Sequence, residues 1–295
     1  MLLPWPDIFL YRQGNPALLF RPELRLILSA ERIEVTLIER HWLNGFKPEI
    51  IAHEKIDLNH PMLGMEASPA YFATLTHILT KYQDKNAIPV VILSGLFSRH
   101  LVIPWSDAVN TKQETAAYIS HLFEQSYGEA STDWRIASSH ERYEQPAFAS
   151  ATHQVFLDGL ENVFAKAGMP LKAIHPQFML TANKVFAHMD QHRLPLHGWI
   201  ACLEPTRLTI GRIEAGDWRS VQSMPLESSA AMQIEKWIIR ESVISPETAK
   251  IPVFVDGSSE AGSHIRLSQH QVIDLQAAGA VPPTYGQALR VRHSV

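Results

Sequence analysis

The stretch Leu24-Arg-Leu-Ile-Leu-Ser-Ala-Glu-Arg-Ile-Glu-Val-Thr-Leu-Ile-Glu-Arg40 decides how the rest of the chain is read. Leu24–Leu28 is a short apolar run, Ser29-Ala30-Glu31-Arg32 is a tight turn, and Ile33, Val35 and Leu37 alternate with Glu34 and Thr36. A period of two means that successive side chains point to opposite faces, so the stretch predicts a hairpin with one buried face. A third strand is expected at Glu49–Ile56. The pattern returns at Trp199–Met224. There Trp199-Ile-Ala-Cys-Leu203, a turn at Leu203-Glu204-Pro205-Thr206, Thr206–Ile213, a Gly216-Asp217 turn and Trp218–Met224 predict a second three-stranded meander. The echo is structural rather than residue for residue.

Between and after the meanders, strands and helices mix. Tyr71–Tyr82 has helical spacing of Phe72, Leu75, Leu79 and Tyr82, and Ile88–Leu93 is a continuous apolar run of the kind a buried strand shows. His100–Pro104 resumes after Gly95. Thr111-Lys-Gln-Glu114 is a capping-box sequence, in which the Thr hydroxyl and the Glu carboxylate each satisfy a backbone N–H of the first turn, so a helix starts there and stops near Gly128. Two polar strands are expected at Asp133–Ser138 and Ala147–Thr152. His153–Ala167 carries the stripe Phe156, Leu160, Val163, Phe164 and ends at Gly168, the strongest helix signal in the chain. Leu171–Ile174 predicts a strand, Gln177–Met189 a helix, Asp190–Leu196 a polar linker, Ala230–Glu241 a helix and Ile251–Val255 a strand. This alternation is that of an α/β protein.

The chain has 295 residues, 46% hydrophobic and 19% charged, ordinary values for a globular protein. A net charge of -4 argues against a general nucleic-acid binder, which needs a basic surface to neutralise phosphates. The single cysteine, Cys202, suits a reducing compartment, and neither a signal peptide nor a bilayer-length apolar run is visible, so a cytoplasmic location is expected.

The order of these stretches resembles the PilM-like and GspL-like proteins of type IV pilus and type II secretion machines, MshI-type proteins included, within the actin/FtsA-like ATPase superfamily. Leu24–Leu37 and Trp199–Pro225 are similar to that superfamily's two phosphate hairpins, Val90–Pro104 and the helix from Thr111 to its passage into a small inserted subdomain, Phe156–Val185 to its crossing into the second half, and Val253–Gly262 to its Gly-rich adenosine turn. The resemblance implies an actin-like (ribonuclease H-like) fold of two lobes. Its divisions would be a proline-rich arm at 1–22, a first lobe at 23–189 with a small subdomain at about 104–152, a second, shortened lobe at 190–276, and a tail at 277–295 that packs back or is irregular. Within the tail, Tyr285–Val291 suits a short helix.

ATP-binding members place Asp and Gly in both hairpin turns, where a carboxylate orients the hydrated cation and Gly lets backbone N–H groups approach phosphate. Here the first hairpin has neither between Leu24 and Arg40, and Pro205 removes a donor from the second. Asp256, Gly257 and Gly262 are what remains of a nucleotide turn. The resemblance therefore implies a scaffold without a cofactor, docking on the inner membrane through a bitopic membrane partner or the assembly ATPase. The alternative is a divergent ATPase or small-molecule kinase, for which Asp256 and Glu31 are the carboxylates to mutate.

Other reactive residue types are better explained structurally. His188, His192 and His197, with Asp190, have a metal-like spacing but lack a His-Glu-Xaa-Xaa-His pattern. Cys202 lies on an apolar strand, and Ser139-His140-Glu141 and Ser258-Ser259-Glu260 match no nucleophile elbow. Trp5, Ile8, Phe9, Leu10, Leu18, Leu19 and Phe20 in the arm either pack on the protein's own surface or contact another protein.

Overall fold

The first hairpin is closed by its own turn. Ser29 Oγ donates to the Arg32 carbonyl (2.7 Å), the Arg32 N–H donates back to Ser29 Oγ (3.1 Å), and Ser29 N–H reaches the same carbonyl (3.0 Å). These bonds join β1 (Glu23–Leu28) to β2 (Arg32–Arg40), and β3 (Pro48–Asp57) lies on the far side of β2. The computed structural model describes residues 21–40, 48–58, 68–128, 133–139, 144–227, 229–244, 251–257 and 265–275. The arm at 1–20, Gly262, His140-Glu141, Ser258-Ser259-Glu260 and the tail beyond 275 lie outside the described residues.

After α1 (Pro69–Tyr82), β4 (Ile88–Leu93) and later β8 (Ala173–Pro176) add in parallel on the other side of β1, giving the order β3-β2-β1-β4-β8. The second half repeats this plan. β9 (Gly198–Leu203), β10 (Arg207–Glu214) and β11 (Asp217–Pro225) form the antiparallel meander. α5 (Ala230–Ile244) then leads to β12 (Val253–Asp256) and β13 (Val272–Asp274), which add in parallel to give β11-β10-β9-β12-β13. The same strand order twice, with the same strand directions, is a structural duplication that the residues themselves do not display.

A smaller antiparallel sheet is inserted between β4 and β8. It is built from β5 (Arg99–Ile103), β6 (Trp134–Ser138) and β7 (Ala147–His153) in the order β5-β7-β6, with α2 (Lys112–Tyr127) packed on it. The capping box forms as expected. Glu114 N–H donates to Thr111 Oγ1 (3.2 Å), Thr111 N–H donates to Glu114 Oε2 (2.9 Å), and Gly128 ends the helix at φ 69°. Because Arg99–Ile103 is an edge strand of this sheet, the insertion starts at β5, ahead of the expected start near 104. Residues 133–138 and 147–152 form strands as expected, but β7 is buried along Ala147–Thr152 rather than polar in environment, since its small side chains sit between two packed layers.

The first sheet buries Leu24, Leu26, Leu28, Val91 and Leu93 against α1 and α3 (Gln154–Lys166), where Phe97 and Phe156 stack at 4.5 Å. Gly159 lets these helices meet: a Cβ there would lie 2.3 Å from the Phe72 ring. The second sheet is covered on both faces, which is why β9 and β12 read as continuous apolar runs. α5 lies on one face through Ile234 and Ile238. On the other, α4 (Gln177–Gln191) packs Phe178, Ala182, Val185 and Phe186 against Ile200, Cys202 and Phe254. The small sheet joins that core through Phe148, whose ring is 4.9 Å from Trp218 of β11. α4 runs on to Gln191, so the expected linker at Asp190–Leu196 shortens to the residues after it. The second half carries all five strands. Residues 257–271 connect β12 to β13, where residues 94–172 connect β4 to β8.

Candidate functional site

The β9–β10 turn, the loop after β4 and the end of β12 converge. Both hairpins turn in two residues, Ala30-Glu31 and Pro205-Thr206, none of which has positive φ. Turns of that kind need no glycine. In the second turn Glu204 reaches back across the molecule: the Gly95 N–H donates to both carboxylate oxygens, at 2.8 and 3.1 Å. Ser94 Oγ accepts from Leu96 N–H (3.2 Å). Burial pushes the Glu204 carboxyl up to about 7, against the opposing pull of Gly95 N–H, Arg207 and Ser94. Gly95 fits because it is small: a Cβ would lie 3.2 Å from Thr209 Oγ1 and 3.3 Å from Glu204 Oε1.

Two guanidiniums flank this contact. Arg99 donates to the carbonyls of Leu96 and Ser98 (both 3.2 Å) and lies 5.9 Å from the rings of Tyr127 and Trp134. Arg207 makes a long contact with Ser223 Oγ (3.5 Å), and its pKa is lowered first by burial and then by the charge on Arg99.

Asp256 and Gly257 are brought to the same end of the second sheet, because β12 pairs in parallel with β9 and sets Asp256 beside Cys202. Asp256 faces α4. Thr181 Oγ1 donates to Oδ2 (2.7 Å), and Lys184 Nζ donates to both oxygens (2.8 Å each), with the side chains 4% and 14% exposed for Asp256 and Lys184. Gly257 has φ +124°, and a Cβ would stand 2.0 Å from the Leu203 carbonyl oxygen, so this turn presses backbone to backbone on the residue before Glu204. Glu31 is not drawn in: its side chain is exposed, and its carbonyl accepts from Leu58 N–H (2.8 Å).

The remaining candidates have structural roles. Cys202 is buried, and its thiol is pushed well up by burial and by the Glu204 and Asp256 charges, a poor setting for a thiolate. Ser139 Oγ accepts the Phe148 N–H (2.9 Å). The His188 and His192 rings approach to 4.3 Å, but among the described residues no group of three His, Cys, Asp or Glu is placed to hold a metal. His100 is enclosed between Phe148 and Phe178 with Ser150 and Ser98 at its two nitrogens, and burial holds its pKa down at about 3. The residues that sequence reasoning missed are Ser94, Gly95 and Lys184. The signals available were Gly95 breaking the apolar run of β4, and Lys184 three residues after Thr181 on one helix face.

A separate shallow, open groove runs along the small sheet between Ile103, Pro104, Trp105, Val109, Tyr118 and Gln145. Trp105 on its rim is 40% exposed.

No protein-family model and no curated protein matches the chain. Solved structures do. The cytoplasmic domain of EpsL, an inner membrane component of the type II secretion system of Vibrio cholerae, superposes with TM-score 0.58 at 12% identity, over 92% of this chain and 93% of that one. A Bacteroides thetaiotaomicron protein described as having an actin-like ATPase fold and unknown function gives 0.58 at 10% identity, over 95% and 99%. A chain of the PilM–PilN type IV pilus biogenesis complex gives 0.56 at 10% identity, over 91% and 94%. The chain has the actin-like fold. In that fold the two hairpins face a nucleotide, and here the groups present do not fit ATP. A triphosphate would meet the Glu204 carboxylate at the second hairpin, and the Asp256 carboxylate is committed to Lys184. Among the described residues, no helix of this actin-like chain is long and apolar enough to cross a membrane.

Proposed function

We propose that the chain is a non-enzymatic, actin-like scaffold of a type IV pilus or type II secretion-like assembly, cytoplasmic and held at the inner membrane by a membrane-protein partner. The observation that carries this reading is Glu204 on Gly95: a side chain of the protein takes the backbone donor of the interlobe seam. The likeness to EpsL and to PilM supports the choice of machine. The partner's cytoplasmic segment would lie in the groove beside Trp105, where a half-exposed aromatic on a proline-fixed backbone makes a good anchor for an extended peptide.

The test is direct. Peptides covering the cytoplasmic N-terminal segments of single-span membrane proteins encoded beside this chain are titrated into the full protein by calorimetry. One of them is expected to bind, and Trp105→Ala is expected to weaken it by about tenfold or more, the typical loss at an anchor residue. Binding unaffected by Trp105→Ala removes the groove from the proposal, and failure of every peptide removes this class of partner.

A further inference from the structure

We propose that the Ser94–Gly95 turn is an anion-binding site whose resident anion is the protein's own Glu204 carboxylate, so that the two halves are latched together without any external ligand. The turn offers the Gly95 backbone N–H to both carboxylate oxygens, and Ser94 favours the charged form of the carboxyl. A small fork of donors of this kind recognises an oxyanion, whether carboxylate or phosphate. The turn belongs to the first half, following β4, and Glu204 belongs to the second, ending β9. Arg207 favours the charged form of the carboxyl against the opposing push of burial, and Arg99 donates to the Gly95 carbonyl (3.4 Å). Thr209, Ser223 and Glu204 crowd Gly95 closely enough that no larger residue fits without displacing them. The contact thus has the parts of a ligand site, with a side chain in the ligand's place. This inference concerns the seam alone and does not depend on which partner occupies the distant groove.

The experiment is chemical rescue combined with amide exchange. In Glu204→Ala the carboxylate is gone and its space is open. Sodium acetate or inorganic phosphate is expected to raise the melting temperature of this variant more than sodium chloride of the same ionic strength, and to leave the wild type unmoved. In the wild type the Gly95 amide is expected to exchange at least about tenfold more slowly than in Glu204→Gln, since a hydrogen bond to a charged group is stronger than one to a neutral group. Rescue by chloride equal to that by acetate and phosphate, or a Gly95 amide in the wild type that exchanges as fast as in Glu204→Gln, overturns the proposal. The exchange arm needs no loss-of-side-chain variant, so a Glu204→Ala protein that does not fold still leaves a decisive result. An acetate effect without a phosphate effect would restrict the site to carboxylates while keeping the latch.

Discussion

Lys184→Met separates a pairing role for Asp256 from a ligand-facing one. In the folded protein the Asp256 carboxylate is almost fully enclosed and is neutralised by Lys184 at 2.8 Å, with one further bond from Thr181. Removing the cation leaves an uncompensated buried charge, which typically costs about 3–5 kcal/mol. Here Thr181 stays in place, so a loss near the lower end, about 3 kcal/mol, is expected. Asp256→Asn costs less, about 2 kcal/mol: Asn keeps an acceptor for Thr181, and the 14%-exposed Lys184 side chain can swing its ammonium toward water. The double variant Lys184→Met/Asp256→Asn loses about 3 kcal/mol, no more than Lys184→Met alone and short of the additive loss of about 5 kcal/mol, a coupling of about 2 kcal/mol. At this chain length roughly 2–3 °C of melting temperature corresponds to 1 kcal/mol, so Lys184→Met should melt about 6–9 °C lower. Thermal melts followed by tryptophan fluorescence read all four proteins. Additive single losses, or a Lys184→Met protein as stable as the wild type, would refute the reasoning and return Asp256 to the list of residues free to face a ligand.

The other expectations are brief. Gly257→Ala combines φ +124° with a Cβ 2.0 Å from the Leu203 carbonyl, so it should destabilise by about 3 kcal/mol or more, seen as a lower melting temperature; Gly128→Ala, at φ +69° with open space around it, should cost only about 1 kcal/mol. Thr111→Ala removes the hydroxyl half of the capping box and should cost about 1 kcal/mol in the same assay. Glu204 gives a pH signature of known sign. Its folded pKa, about 7, lies above the ordinary 4.5, so between those values the folded state keeps a proton that the unfolded chain releases, and stability from this group falls as pH rises toward 7. Between pH 5 and pH 8 the wild type should therefore lose about 2–3 kcal/mol through this group, a pH dependence that Glu204→Gln abolishes, as read from thermal or denaturant melts across that range. The buried His100 and His175, held down at about 3 and 4, destabilise both proteins alike as pH falls below 6.5 and cancel in the comparison.

The elements with strong local periodicity were legible in advance. Ile33, Val35 and Leu37 marked β2, Thr111 and Glu114 marked the start of α2, and Phe156, Leu160, Val163 and Phe164 marked the face of α3 that is buried. What failed to show was long-range. β13 is three residues long and becomes a strand only because β12 offers it an edge, so Val272-Ile-Asp274 carries too short a pattern to be read alone. Arg99 joins an edge strand because Ala151 stands opposite it, a pairing that no local signal announces. The site was half legible. Asp256 and Gly257 were visible as the remnant of a nucleotide-binding pattern and Glu204-Pro205 as a departure from it, but the partners Lys184, Leu203 and Gly95 lie up to 109 residues away in sequence for the Glu204–Gly95 contact. Departure from a pattern indicated what the turns had lost; only the packing of the halves indicated what replaced it.

In the function proposed above, the protein's own groups take the place between the hairpins where a nucleotide would sit. Calorimetric titration of magnesium-ATP into the full chain at neutral pH tests it most directly. The account predicts no saturable heat up to millimolar nucleotide, and micromolar binding would contradict it.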